Sequence, residues 1–169
     1  QRAFFQSWEE DEYSLRFDGS DQALEISCAS LQPEAGTVAL WVEPETTDDL
    51  YHILFGHSDG NGNTILLYTF NSTLGVLMGN VSKSTGAVLE ADVMQHVALT
   101  WEGTDYTVYL EGEEIAIGTF PGLSALAATA DIANGGTPSA RLEGLGFNGI
   151  VDDVQLYNRA LSADEIMSQ

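Results

Sequence analysis

Twelve short stretches of alternating or apolar β-prone residues, most of them separated by turns containing Gly, Asn, Asp or Ser, run along almost the whole chain. That rhythm leaves few folds open. The stretches are Tyr13–Phe17, Ala23–Cys28, Thr37–Val42, Tyr51–Gly56, Thr64–Thr69, Leu74–Asn80, Gly86–Leu89, Gln95–Trp101, Tyr106–Glu111, Glu114–Thr119, Asp131–Ala133 and Phe147–Tyr157. Short strands at regular spacing, punctuated by turns, predict an all-β sandwich or barrel. Within Thr37–Val42, Val38, Leu40 and Val42 point one way and Trp41 the other; Val97, Leu99 and Trp101 share a side of their strand. Glu111-Gly112-Glu113 turns one strand into the next. Ser162 and Glu165 have the spacing of a capping box, which predicts a one- to two-turn helix at the C-terminus. Leu123–Ala130 is Ala-rich and could form a single helical turn, although it lacks a clear cap.

The closing segment contains an anomaly. Read with a period of two, Ile150, Val154 and Leu156 share a face, and Asp152 interrupts it. A core-directed carboxylate is costly unless it is hydrogen-bonded or binds a metal, which makes Asp152 a candidate for a structural or ionic role.

Charge and cysteine content narrow the function classes. With 169 residues the chain fits one domain, here residues 13–169, with residues 1–12 as a tail or covering segment. Twenty-six acidic residues against five basic ones give a net charge of −21. That excludes a phosphate-backbone partner, because nucleic-acid binding needs a basic footprint. No apolar run approaches the length of a membrane span. Cys28 is alone, so neither an intrachain disulfide nor a cysteine metal cluster can form.

Four blocks of sequence then fall in a recognisable order. They are Leu15-Arg16-Phe17-Asp18-Gly19-Ser20-Asp21, Gly36-Thr37-Val38-Ala39-Leu40-Trp41-Val42-Glu43-Pro44, His96-Val97-Ala98-Leu99-Thr100-Trp101-Glu102-Gly103, and Phe147 through Ser162. In these blocks the chain resembles the laminin G-like domains of the concanavalin A-like lectin/glucanase superfamily, in their bacterial, pentraxin-related form. The resemblance implies a two-sheet antiparallel jelly roll with a short C-terminal helix, its first and last strands side by side. It implies a non-catalytic carbohydrate- or glycoprotein-binding module of a larger extracellular or surface protein. The alternative is an adhesion domain without glycan affinity, and a glycan-cleaving enzyme ranks below both.

The resemblance also implies a structural Ca2+ near the chain ends, with Asp18, Gly19 and Asp152 as metal ligands. The opposing reading is that Asp18 caps its own turn and Asp152 accepts backbone N–H groups. A sugar needs an aromatic platform beside polar side chains. Tyr51, His57, Asp59, Asn61 and Tyr68, in the middle of the chain, form the expected ligand surface. Asp59-Gly60-Asn61-Gly62-Asn63 departs from an EF-hand loop at its sixth and twelfth positions and reads better as a hairpin tip. The E-x-D-x-x-E strand of retaining glucanases on this fold is absent, and no catalytic residues are assigned.

Overall fold

The computed structural model describes residues 14–45, 50–135 and 145–169. The expected tail at residues 1–12 lies outside them. The described residues form two antiparallel six-stranded sheets packed face to face, a jelly-roll sandwich. The strands in chain order are β1 (Leu15–Asp18), β2 (Leu24–Ser27), β3 (Ala35–Pro44), β4 (Tyr51–Ser58), β5 (Thr64–Phe70), β6 (Thr73–Met78), β7 (Val81–Val88), β8 (Gln95–Glu102), β9 (Asp105–Leu110), β10 (Glu113–Thr119), β11 (Thr129–Ile132) and β12 (Asn148–Tyr157). One sheet runs β1-β12-β3-β8-β9-β10 and the other β2-β11-β4-β5-β6-β7. The twelve expected strands are therefore present, and the first and last of them pair.

The core lies between the sheets because each strand sends alternate residues inward. Val38, Leu40 and Val42 of β3 and Val97, Leu99 and Trp101 of β8 meet Phe55, Ile65, Leu67, Leu74, Val76 and Met78 of the other sheet. Trp101 is fully buried, and its indole N–H donates to the Gln32 carbonyl at 3.2 Å. Three glycines lie directly across the ladder from a large ring: Gly36 from Trp101, Gly75 from Tyr68 and Gly118 from Tyr106. A Cβ at any of the three would come within 2.3–2.5 Å of that ring. The missing side chain is what lets each ring lie flat over the neighbouring strand.

The C-terminal helix, α1 (Ala163–Met167), begins at the expected capping box: Ser162 accepts from the Glu165 N–H, and the Glu165 carboxylate accepts from the Ser162 N–H at 2.9 Å. Arg159 adds a two-pronged ion pair to Glu165, with N–O distances of 2.8 and 2.7 Å. Leu161 and Ile166 pack on Ala39, Ala98 and Tyr109, so the helix covers part of the outer face of the first sheet.

Two local expectations are corrected. Residues 123–130 form no helix. Their backbone N–H groups are taken elsewhere: Ser124 donates to the Asn63 side chain at 2.8 Å, and Ala127 donates to His57 Nε2 at 2.8 Å. Those bonds draw the segment across the end of the second sheet before it enters β11. The second correction concerns β12. A bulge between Asp152 and Gln155, with Asp153 at φ +43°, breaks the period of two. Val151 faces the core before the bulge, and Val154 and Leu156 pack against it afterwards. Asp152 pairs with Trp41 and faces outward with it, so it is not a core-directed carboxylate.

Candidate functional site

The outer face of the second sheet carries the arrangement best suited to a ligand. Strand register sets it row by row. Tyr51, Phe70, Thr73 and Val88 stand opposite one another across β4, β5, β6 and β7. The next row is Ile53, Tyr68, Gly75 and Ser84. The one beyond contains Gly56, Leu66, Leu77 and Ser82. All point away from the core because Thr69, Leu67 and Ile65, which alternate with them on β5, point into it. A bulge at Leu54 on β4 sends both Leu54 and Phe55 inward, while Tyr51 and Ile53 lie on the outer side, Tyr51 exposed and Ile53 buried.

The first two rows form an aromatic platform. Tyr51 and Phe70 stack with ring centroids 4.4 Å apart and an interplanar angle of 26°. Tyr68 sits 5.7 Å from Tyr51 at 50°. Its ring lies over Gly75, and its hydroxyl is 2.8 Å from the Ser82 hydroxyl. Tyr51 is 46% and Phe70 44% exposed, unusually open for large rings on a sheet. Leu50 and Val88 are exposed as well, at either side of the row. Apolar faces thus sit beside a hydroxyl rim supplied by Tyr68, Ser82 and Ser84. On the first sheet, by contrast, α1 covers part of the outer face, and Trp41 there is packed 5.1 Å from the His96 ring.

The remaining expected ligand residues do not join this platform. His57 follows the bulge on β4 and faces inward, fully buried. Its Nε2 accepts the Ala127 N–H, which leaves the proton on Nδ1, and Nδ1 has no partner. Burial holds its pKa below the ordinary value, against the opposing pull of the Asp59 charge. His57 therefore anchors the segment that covers the sandwich end. Asp59 and Asn61 sit in the β4–β5 hairpin, at the far end of the sheet from Tyr51. The Asp59 carboxylate accepts the Asn63 side-chain amide at 2.6 Å and the Asn61 N–H at 2.7 Å, and these bonds hold its pKa down at about 2. The carboxylate organises the hairpin tip. Phe70 belongs to the same aromatic- and polar-rich middle segment of the sequence but not to the expected ligand set. Its place opposite Tyr51 depends on the β4–β5 register, which no local pattern encodes.

The expected metal ligands are likewise separated. Asp18 pairs with Asn148, while Asp152 lies four residues further along β12, beyond the Leu15–Val151 pair. At the rise of a strand that is about 13 Å. Asp18 accepts from the Ser20 N–H and hydroxyl at 3.0 and 2.5 Å, and the hydroxyl bond is the main cause of its lowered pKa. Gly19 turns the chain there at φ +77° and donates its N–H to the Phe147 carbonyl at 3.2 Å. Asp152 accepts the N–H of Asp153 at 2.8 Å, and partial burial beside Trp41 raises its pKa. Among the described residues no group of three or more His, Cys, Asp or Glu side chains converges as a metal site. Asp18 and Gly19 thus lie at one end of the β1–β12 ladder and Asp152 beyond the other.

Comparison with known proteins agrees with this architecture. The family model of the concanavalin A-like lectin/glucanases superfamily matches residues 18–167. Among solved structures, domain 4 of AbnA, an extracellular arabinanase from Geobacillus stearothermophilus, in complex with arabinotriose, superposes with a TM-score of 0.77 at 18% identity. That match covers 99% of this chain and 80% of the other. A heptameric SAP-like pentraxin from Limulus polyphemus gives 0.74 at 18% identity, covering 91% and 79%. The CBM40 module of the Ruminococcus gnavus IT-sialidase gives 0.72 at 17% identity, covering 92% and 95%. At these identities the likeness is one of fold. Among the curated proteins none matches the chain.

Proposed function

Because the chain belongs to the laminin G-like branch of the concanavalin A-like lectin/glucanase superfamily, we propose that it is a non-catalytic carbohydrate-binding module whose ligand rests on the Tyr51–Tyr68–Phe70 platform. The stacked, half-exposed Tyr51–Phe70 pair is the observation that carries this reading. Solvated apolar rings are unfavourable in a sheet unless something covers them, and a sugar ring offers an apolar face to rings and hydroxyls to a polar rim. That one structural relative is bound to arabinotriose and another is a CBM40 module supports the same class of ligand.

A non-catalytic role fits the placement of acids. The carboxylates on the outer side of this sheet, Glu25 and Asp131, share the row of Gly56, and Asp131 is buried there. That row is the next one beyond Tyr68, two residues or about 7 Å away along β5. No pair of acids flanks the platform among the described residues, as glycoside cleavage would need. Calcium forms no part of this reading, since its expected ligands do not converge. An extracellular setting within a larger protein belongs to the proposal. Among the described residues no helix is long and apolar enough to cross a membrane.

Affinity gel electrophoresis with soluble polysaccharides tests the reading. The protein should be retarded by at least one glycan, and Tyr51→Ala should abolish that retardation without unfolding the domain. Retention unchanged by Tyr51→Ala would move the site elsewhere. Release of reducing sugar would show an enzyme instead.

A further inference from the structure

We propose, resting on the binding-module reading above, that the platform selects neutral glycan chains, bound across β4–β7 along their length, and rejects sialylated, uronic or sulfated ones. Two independent features of the molecule point there.

The first is where its few cations are. An anionic sugar is recognised by an Arg fork or a Lys ammonium placed against its carboxylate or sulfate. Among the described residues there are three such side chains, and each is engaged away from the platform. Arg16 of β1, in the other sheet, pairs with Glu45. Arg159 is held by both carboxylate oxygens of Glu165, beside α1. Lys83 lies on β7 but pairs across the ladder with core-facing Val76, on the opposite side of the strand from Ser82 and Ser84. Its ammonium donates at 2.7 Å to the Ile117 carbonyl of β10, joining the two sheets at their edge. Among the described residues, the groups that line the platform are rings, hydroxyls and aliphatic side chains, with no Asp, Glu, Lys or Arg. Around them is a chain of net charge −21, whose field repels a polyanion approaching any part of the surface.

The second feature is shape. The row Tyr51–Phe70–Thr73–Val88 crosses four strands. Three inter-strand gaps span about 14 Å. Its ends carry exposed apolar side chains, Leu50 and Tyr51 on one side and Val88 on the other. In the adjoining row Ile53 is buried, and its N–H donates to the Leu145 carbonyl at 3.0 Å, so the open strip is the outermost row. A flat strip of that length matches a stretch of polymer better than a single terminal sugar, which would need a closed pocket to contribute comparable contact.

The test compares the intact protein on neutral and anionic glycans by isothermal titration calorimetry. Linear arabinan and mixed-linkage glucan fragments serve as neutral probes; oligogalacturonate and sialyllactose serve as anionic ones. The inference expects at least one neutral probe to bind at least about tenfold more tightly than either anionic one. Its affinity should rise from monosaccharide to oligosaccharide and be nearly indifferent to salt, since no ion pair is made. Phe70→Ala should weaken that binding, and Lys83→Gln, which removes the one cation on β7, should leave it unchanged. Equal or tighter binding of an anionic probe overturns the selectivity while leaving the binding-module reading intact. So does loss of neutral-glycan binding in a folded Lys83→Gln variant. Failure of every probe to bind overturns both.

Discussion

The Phe70 ring gives the sharpest prediction. It is 44% exposed and stacked on Tyr51, so the same side chain is partly invested in the fold and partly open. A buried aromatic side chain removes about 200 Å² from water. By that measure roughly 90 Å² of Phe70 is available for a ligand to cover. At ~25 cal/mol per Å² that area is worth about 2 kcal/mol, about thirtyfold in Kd. Part of this gain is offset by the cost of ordering ligand and side chains, so the expected loss for Phe70→Ala is about ten- to thirtyfold. The cost to the fold is smaller. The stacked pair contributes about 1 kcal/mol beyond its area, and a change of that size moves the unfolding midpoint of a domain this long by about 2–4 °C. Calorimetric titration of the neutral glycan and thermal unfolding, run on the same preparation, separate the two effects. Ile117→Ala is the control: it removes an even more exposed apolar side chain, 59% open, from β10 in the other sheet. It should leave Kd unchanged. A folded Phe70→Ala variant that binds as tightly as the parent would refute the platform, because four of the seven exposed large apolar side chains among the described residues, Leu50, Tyr51, Phe70 and Val88, lie in or at the end of that one row.

Other expected outcomes test the supporting structure. Gly75→Ala places a Cβ 2.5 Å from the Tyr68 ring; the ring must leave its seat over β6, at a cost of about 1–3 kcal/mol in denaturant unfolding, and glycan affinity should fall with it. Stability should also decline on mild acidification. Burial keeps His57 and His96 below their ordinary pKa of 6.5, so the unfolded chain takes up protons first. Their contribution is complete above pH 6.5 and is lost as pH falls towards the folded values, with a limiting slope of about 1.4 kcal/mol per pH unit for each residue. Asp18, Asp59 and Glu165 have depressed values and enter only at lower pH, as pH falls through the ordinary carboxylate range. A midpoint flat between pH 7 and 5 would contradict the buried, neutral state of both imidazoles. Finally, EDTA should leave the unfolding midpoint unchanged; a fall of several degrees, restored by Ca2+, would show that oxygens beyond Asp18, Gly19 and Asp152 complete a site.

Much of this molecule is written in local pattern. Strand segments, the Glu111-Gly112 turn and the Ser162–Glu165 capping box depend on residues close in sequence, and alternation, turn chemistry and side-chain capping act over that range. Tyr51 and Tyr68 are legible as candidate platform residues because the middle segment mixes aromatic with polar side chains, as a sugar site needs. Asp152, however, was misread as core-directed, and His57 was placed on the surface when it lies beneath it. Both errors have one physical cause. A bulge adds one residue to a strand, and every side chain after it changes face. The Asp152–Gln155 bulge does this in β12, and the Leu54 bulge does it in β4.

By itself, then, the sequence determines an all-β sandwich or barrel, an acidic composition and no basic footprint, since composition and short-range periodicity suffice for these; the two-sheet jelly roll with paired ends is what the family resemblance adds. Tertiary structure alone decides which residues meet. It stacks Phe70 on Tyr51 and seats Tyr68 over Gly75. It also keeps Asp18 four residues from Asp152 along the shared ladder and turns Lys83 towards β10. Each of those outcomes is set by inter-strand register and by bulges, which arise from how distant segments pack and not from any residue's immediate neighbours.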